Sequence, residues 1–182
     1  MSKVVVATTS LAGCFGCHMS FLDIDEKILD LIELVEFHKS PLTDIKTFEK
    51  RCDVGIIEGG CCNAENIEIL RTFRENCDIL VAMGECAISG GLPAMRNGIA
   101  IKECLSEAYL HGVTVDPADN PVIPDDEELP PLLDKVYPCH EIVTIDHFIH
   151  GCAPRASLIW ETLVSLIEQR KPDVAYEDFK YD

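Results

Sequence analysis

The chain alternates between short, continuous apolar runs and longer segments in which apolar residues recur with helical spacing. The apolar runs have the length and β-branched content of strands that are buried on both faces of a parallel sheet. In chain order, they predict strands at 3–9, 36–38, 53–58, 78–83 and 141–145. Helical spacing predicts helices at 25–34, after the capping residue Asn63, at about 99–110, and at 155–169 after Pro154.

This alternation of strands and helices predicts an α/β fold with a doubly wound parallel sheet. Short strand–helix–strand connections favour that arrangement, since each helix then crosses the sheet between two parallel strands. We expect one domain over residues 1–182, with its strands in the order 2-1-3-4-5. Residues 112–138 interrupt the alternation and predict an irregular insertion that is acidic and rich in proline.

Composition narrows the class of protein. Of the 182 residues, 47% are hydrophobic, but no run approaches the roughly 18 apolar residues of a membrane span. The N-terminal segment enters the first strand without the basic and apolar regions of a secretory signal, which predicts a cytoplasmic protein. A net charge of −17 argues against nucleic-acid binding and leaves two interpretations, solubility or a docking face for a more basic subunit.

Four of the ten cysteines follow predicted strands and carry the candidate chemistry. Cys14 and Cys17 form a Cys-x-x-Cys pair after the first strand, Cys86 follows the strand at 78–83, and Cys152 follows the last strand. Because ligands bind at the carboxyl ends of parallel strands, we expect the four cysteines to converge at that edge. Four thiolates there favour an iron–sulfur cluster, and the alternatives are zinc, a dithiol redox pair and structural cysteines.

Three glycines and one carboxylate lie beside these cysteines. Gly16, Gly84 and Gly151 are each within two residues of a candidate ligand, where glycine allows backbone N–H groups to approach sulfur. Glu58 ends the strand at 53–58. It is either an electrostatic or proton-relaying group or a hydrogen-bonded carboxylate at a strand end.

The other cysteines and the nearest histidine have weaker assignments. The adjacent pair Cys61 and Cys62 lies near the functional edge and is an alternative source of ligands. We expect His18 to make a surface contact and Cys139 to lie on the far side of the sheet from the site. Small apolar core positions are expected for Cys52, Cys77 and Cys104.

Motifs around these residues resemble the small subunit of nickel–iron hydrogenases, in the family's order and over nearly the whole chain. The run from Cys14 to Asp23 resembles specifically the cytoplasmic NAD(P)-reducing, bidirectional branch. The quinone-reductase 20 kDa subunit is a relative, but its first motif has adjacent cysteines. The other matching motifs are Glu58-Gly59, Gly84-Glu85-Cys86-Ala87 with Gly90-Gly91-Leu92-Pro93-Ala94, and Gly151-Cys152-Ala153-Pro154.

The resemblance implies a flavodoxin-like domain that holds one [4Fe–4S] cluster, proximal to a nickel–iron centre in a separate large subunit. No catalytic residue is then expected in this chain, which is a hydrogenase subunit and not a catalyst alone. Electrons would pass to diaphorase subunits that carry flavin and further clusters, and reduce NAD(P). Two departures are Ala153, where the family usually has proline, and the end at Asp182, without the extension that holds two more clusters in uptake-type enzymes.

Further expectations concern flavin binding, the rival functions and the contact with a partner subunit. FMN in this chain is a minor alternative, since Thr8-Thr9-Ser10 leads into the cysteine motif and not into a Ser/Thr-rich phosphate loop. The rival functions are an iron–sulfur subunit of a quinone-reductase-like complex and a stand-alone iron–sulfur protein. The large subunit is expected to contact loops 14–22 and 89–97 through apolar residues at a water-excluding surface. Those residues are Phe15, Met19, Leu92 and Met95.

Overall fold

A computed structural model describes residues 3–179 of the chain, so residues 1–2 and 180–182 of the expected domain lie outside it. Its strands are β1 (Val4–Ser10), β2 (Val35–Phe37), β3 (Cys52–Glu58), β4 (Cys61–Asn63), β5 (Cys77–Met83), β6 (Leu132–Tyr137) and β7 (His147–Ile149). Its α-helices are α1 (Gly16–Leu22), α2 (Lys27–Leu34), α3 (Ala64–Asn76), α4 (Glu85–Ser89), α5 (Ile101–Tyr109) and α6 (Ala156–Ile167). Short 3-10 turns occur at Pro93–Gly98, Pro117–Asp119, Cys139–Glu141 and Tyr176–Phe179.

The central sheet has five parallel strands in the order β2-β1-β3-β5-β7. Counted over the strands of this sheet alone, that is the predicted order 2-1-3-4-5, and the doubly wound, flavodoxin-like fold is confirmed. The register pairs Ser10 with Glu58 and Glu58 with Met83, so β1, β3 and β5 end side by side. The connections that leave this edge carry the candidate site.

Helices cover both faces of the sheet. On one face, Phe21 of α1, Leu31 of α2 and Ile159 of α6 pack in one apolar cluster. On the other face, Leu70 and Phe73 of α3 pack in a second cluster. Both faces of β3 and β5 are therefore buried, which explains why these strands appear in the sequence as unbroken apolar runs.

The predicted helix after Asn63 is confirmed, together with its cap. Asn63 is in an extended conformation, and its side chain accepts a hydrogen bond from the backbone N–H of Asn66 at 2.8 Å. Before the predicted helix at 25–34, the structure has an additional short helix, α1, which begins at Gly16. Among the helices of residues 3–179, none is long and apolar enough to cross a bilayer.

The insertion at 112–138 is only partly irregular. Residues 112–131 contain the Pro117–Asp119 turn and otherwise no helix or strand. In contrast, Leu132–Tyr137 forms β6, which pairs antiparallel with β4. The side chain of Asn97 holds β6 from its other edge: it donates to Val136 O at 2.8 Å and accepts from Val136 N at 2.7 Å. Partners that are distant in sequence therefore make this segment a strand.

The strand predicted at 141–145 is wrong. The chain forms a 3-10 turn at Cys139–Glu141, and the strand at the sheet edge is β7. Ile142, Val143 and Ile145 are apolar because they pack against the core on the α3 face. Pairing with β5 begins only at Asp146, whose backbone N–H donates to Leu80 O at 2.9 Å.

Candidate metal centre

Four elements bring the four predicted cysteines to one cavity at the carboxyl edge of the sheet. Cys14 follows β1, Cys17 lies in the first turn of α1, Cys86 lies in α4, and Cys152 follows β7. All four line a cavity of about 110 Å³ together with Glu58. The thiols are free; those of Cys14 and Cys152 are exposed, and those of Cys17 and Cys86 are half-buried.

Glycine is required where backbone meets sulfur in this cavity. A Cβ on Gly84 would overlap Cys17 Sγ, and Gly84 has a φ of +85°. A Cβ on Gly91, which has a φ of +47°, would lie 3.0 Å from Cys86 Sγ. Gly91 is a site residue that the sequence indicates only as part of a glycine-rich stretch. These two glycines leave room for sulfur-bearing groups that larger residues would displace.

The other two glycines shape the loops that carry cysteines. The backbone N–H of Gly16 donates to Cys14 Sγ at 3.3 Å. Gly151 has a φ of +143°, and its carbonyl accepts from the backbone N–H of Glu85 at 2.9 Å. The loops that bear Cys152 and Cys86 are thereby joined by a backbone hydrogen bond.

His18 is buried against Glu58, so the expected surface contact of His18 is wrong. His18 is 0% exposed and Glu58 is 2% exposed. The backbone N–H of His18 donates to Glu58 Oε2 at 3.2 Å. The His18 Nδ1 and Glu58 Oε1 atoms lie 3.0 Å apart, in a contact outside hydrogen-bond geometry. Glu58, 40 residues away in sequence, is the partner that draws His18 inside.

A polar chain continues from His18 into the protein. The His18 Nε2 atom lies 3.0 Å from Thr8 Oγ1, which lies 2.7 Å from Ser40 Oγ. Burial raises the pKa of Glu58, but its close contacts with the His18 side chain and with Ser10 and the backbone N–H of His18 outweigh burial, so the pKa lies below its usual range. Glu58 is thus a hydrogen-bonded carboxylate at a strand end, and its electrostatic or proton-relaying role stays a prediction.

Phe15 covers the His18 ring and is half-buried, which corrects the expectation that it is exposed. The ring centroids are 4.6 Å apart and the ring planes differ by 4°. Phe15 has a φ of +65°, in the left-handed region, and directly precedes α1. Phe15 thus lies between Cys14 and Cys17 in sequence, and its stacking partner His18 directly follows Cys17.

Two of the four thiols at the cavity, those of Cys17 and Cys86, have raised pKa values. Burial raises the pKa of the Cys17 thiol well above its usual range, and the negative charge of Glu58 raises it further. Burial also raises the pKa of Cys86. Neither thiol therefore shows the lowered pKa that maintains a reactive thiolate.

The chemistry of the donor set fits a thiolate-bound metal centre. The four free thiols face a shared cavity whose walls include glycine backbone, and cysteine thiolates in fours are the usual ligands of iron–sulfur clusters. In the part of the chain that the structure describes, no group of three or more ligating side chains is arranged to hold a single metal ion.

Comparisons with known proteins identify the family. The family model described as "NADH ubiquinone oxidoreductase, 20 Kd subunit" matches residues 14–166, a range that contains all four cysteines. The chain belongs to this family. The chain is also 48% identical over 180 residues to the delta subunit of the NAD-reducing hydrogenase HoxS of Cupriavidus necator, covering 99% of this chain and 86% of that protein.

Other relatives of the chain are also hydrogenase subunits. A solved structure of an NAD⁺-reducing [NiFe]-hydrogenase in the H₂-reduced state contains a chain with 49% identity and a TM-score of 0.94, with 100% of both chains covered. The F420-non-reducing hydrogenase of Methanothermobacter marburgensis has a subunit that is 38% identical, with a match that covers 91% of this chain but only 54% of that protein. The predicted resemblance to nickel–iron hydrogenase small subunits is confirmed.

The remaining cysteines do not line the cavity. Cys61 is fully buried in the core on the α3 face, and half-buried Cys62 does not line the cavity, so neither joins the four. Cys139 does not lie on the far side of the sheet: its Sγ donates to Gly59 O at 3.4 Å, beside the cavity wall. The turn after β6 returns the chain to this edge.

Core positions are confirmed for two cysteines, Cys52 and Cys77, which are buried and directly paired between β3 and β5. A core position for Cys104 is wrong, since its side chain is half-buried on α5. No residue of α5 is buried, so this helix lies on the surface of the protein and does not contribute to the core.

Proposed function

We propose that the chain is the electron-transfer small subunit of an NAD(P)-reducing nickel–iron hydrogenase. The convergence of four free thiols on one cavity carries the proposal, since side chains from four separate elements meet there. The 48% identity to a subunit of an NAD-reducing hydrogenase supports the acceptor class. The chain itself would contribute no catalytic residue.

The cavity would hold one [4Fe–4S] cluster through Cys14, Cys17, Cys86 and Cys152. Such a cluster, when bound, supplies reversible one-electron transfer at a potential that its surroundings adjust. The backbone N–H of Gly16 already points at Cys14 Sγ, and N–H groups directed at sulfur stabilise added negative charge. Gly84 keeps the cavity wall clear beside Cys17, and the carbonyl of Gly151 fixes the loop of Cys152.

The partners would be a large subunit that carries the nickel–iron centre and diaphorase subunits that carry flavin and further clusters. The function needs no flavin in this chain, no nucleic acid and no membrane span, and its location would be the cytoplasm. A stand-alone iron–sulfur protein is the rival, as is a subunit of a quinone-reductase-like complex.

The large subunit would cover the face formed by residues 14–22 and 89–97. Cys14 and Cys152 are exposed, so the cavity opens at the surface and a cluster there needs cover. Met19, Leu92 and Met95 are 54%, 70% and 75% exposed. Apolar side chains that project beside a cavity of this kind are typical of the centre of a protein interface.

Metal analysis and spectroscopy of anaerobically purified protein test the cluster. We expect about four iron and four sulfide per chain and the paramagnetic resonance signal of a reduced [4Fe–4S] cluster. Cys86→Ser should lose most of the iron, whereas Cys62→Ser, which alters a half-buried thiol outside the cavity, should retain it. Zinc in place of iron, or full iron in Cys86→Ser, would contradict the assignment.

Co-purification tests the partners. The tagged chain, expressed with the genes of its own complex, should retain a large subunit that contains nickel and should support hydrogen-dependent reduction of NAD or NADP. Isolation as a stable, iron-loaded monomer from the same cells would favour the stand-alone rival.

A further inference from the structure

The His18 ring is held rigidly beside the candidate cluster site. It is completely buried, with Nε2 3.0 Å from Thr8 Oγ1 and Nδ1 3.0 Å from Glu58 Oε1. Thr8 lies in β1, so the Nε2 contact anchors the ring to the central sheet, and the backbone N–H of His18 donates to Glu58 at the end of β3. The imidazole is therefore a fixed surface against which a neighbouring group can be positioned.

Phe15 lies flat on that surface. The two rings are 4.6 Å apart and 4° from parallel, while the backbone of Phe15 has a φ of +65° and a ψ of 7°. This left-handed conformation is uncommon and unfavourable for a bulky residue with a Cβ, so contacts that hold the side chain help to maintain it. The stack supplies that stabilisation, because the Phe15 ring reaches His18 from this backbone conformation.

The conformation of Phe15 determines where the ligand pair points. Phe15 separates Cys14 from Gly16, and its left-handed backbone turns the Gly16 N–H towards Cys14 Sγ, at 3.3 Å. The carbonyl of Phe15 also accepts from the backbone N–H of Met19 at 3.2 Å, which begins α1 and orients Cys17. One backbone conformation thus sets both cysteines.

We propose that the Phe15–His18 stack is the positioning element of the Cys14/Cys17 half of the cluster site. It rests on the proposed function, since it requires that Cys14 and Cys17 hold the cluster. The stack keeps both thiolates and the Gly16 N–H in the arrangement that a cluster needs, so it slows iron loss and raises the reduction potential through the N–H···S contact. Phe15 acts through the cysteines and touches no reacting group itself.

Three substitutions of half-buried Phe15 distinguish the contributions of its aromatic ring, its apolar volume and its backbone conformation. Phe15→Tyr preserves the stack, Phe15→Leu preserves apolar bulk and Cβ, and Phe15→Gly preserves the left-handed backbone without strain. The readouts are the rate of iron transfer to a ferrous chelator, the resonance spectrum and potential of the reduced cluster, and the melting temperature of the metal-free chain. All use the full chain, loaded anaerobically.

We expect Phe15→Leu and Phe15→Gly to release iron about two- to tenfold faster than the wild type, the range that an aromatic pair contributes. Their resonance spectra should change, their potentials should fall, and Phe15→Tyr should match the wild type. The inference would be overturned if Phe15→Leu released iron at the wild-type rate and kept the wild-type potential. It would also be overturned if Phe15→Gly retained iron as fully as the wild type. Parallel loss of melting temperature and iron would also overturn it, by showing a general folding role. A wild-type chain without iron would overturn the proposed function as well.

Discussion

Cys17 Sγ occupies the space that a side chain on Gly84 would need. A Cβ built on Gly84 overlaps that sulfur, and the backbone of Gly84, with a φ of +85° and a ψ of 161°, lies in a region open essentially to glycine alone. Gly84 follows β5, and Cys17 lies in α1. The close packing of this edge therefore depends on a residue without a side chain.

Replacing Gly84 by alanine should destabilise the chain and disturb the site. The strained backbone and the overlap together should lower the free energy of unfolding by about 2–5 kcal/mol, measured by urea denaturation of the metal-free chain. Iron content should also fall, because Cys17 Sγ must move. Gly98→Ala is the matched control: a Cβ there meets no atom within 4 Å, and its effect should stay within about 0.5 kcal/mol. Equal stability of the two variants would contradict this prediction.

The central strands could be predicted because their signal is local. β1, β3 and β5 lie in the middle of the sheet and are buried on both faces, so each appears as an unbroken apolar run. The convergence of Cys14 and Cys86 follows from the same strands, since Cys14 comes soon after the end of β1 and Cys86 soon after the end of β5. Parallel topology then brings the two strand ends to one edge of the sheet.

What the sequence does not reveal depends on distant partners. The β-branched run at 141–145 is a stronger local strand signal than the three residues of β7, but pairing with β5 begins at Asp146. His18 is polar and next to a cysteine, and its contacts with Glu58 and Thr8 explain its burial. Neither relationship leaves a periodic pattern in the sequence.

Asp146 joins the edge strand to the sheet, which gives a prediction about pH. Its Oδ2 accepts from Leu80 N and from Arg74 Nη1, both at 2.7 Å. Burial raises the pKa of Asp146, but these hydrogen bonds outweigh it and hold the pKa below its usual value. The carboxylate therefore contributes stability above the unfolded-state pKa of about 3.9, and this contribution is lost as the pH falls through the lower folded-state pKa.

Asp146→Asn should accordingly lower the free energy of unfolding by about 1 kcal/mol at pH 7, because the group is partly solvated, and the difference should shrink below about pH 4. Denaturation at several pH values measures this. Asp78→Asn is the control, since Asp78 forms an exposed pair with Arg51 and should matter less. If the difference in the free energy of unfolding between the wild type and Asp146→Asn grew on acidification, the predicted direction of the pH dependence would be wrong.

Asn97 is predicted to hold β6 in place. Its side chain exchanges two hydrogen bonds with the backbone of Val136, so Asn97→Ala leaves a backbone donor and acceptor without partners. We expect a loss of about 1–3 kcal/mol and faster hydrogen exchange at the Val136 amide. Asn76→Ala, which removes one exposed bond to Thr72 O, is the matched control. Unchanged exchange at Val136 would show that β4 alone secures the strand.

The apolar residues beside the cavity give the sharpest test of the proposed interface. Met19 and Leu92 are exposed on the two segments that flank the four cysteines, and neither is needed for the core. Met19→Glu and Leu92→Glu should therefore leave the isolated chain stable, but each should weaken association with the large subunit by at least about tenfold, the effect of burying an unpaired charge in an interface. Val113→Glu places the same charge at a fully exposed valine on the 112–131 segment and should have no effect.

Pull-down affinity and hydrogen-dependent NAD reduction measure the outcome of these three substitutions, with the melting temperature of each variant as the folding check. Unchanged association in both variants would move the interface to another face, whereas weakening by Val113→Glu as well would indicate a response to added negative charge on a chain that already carries −17.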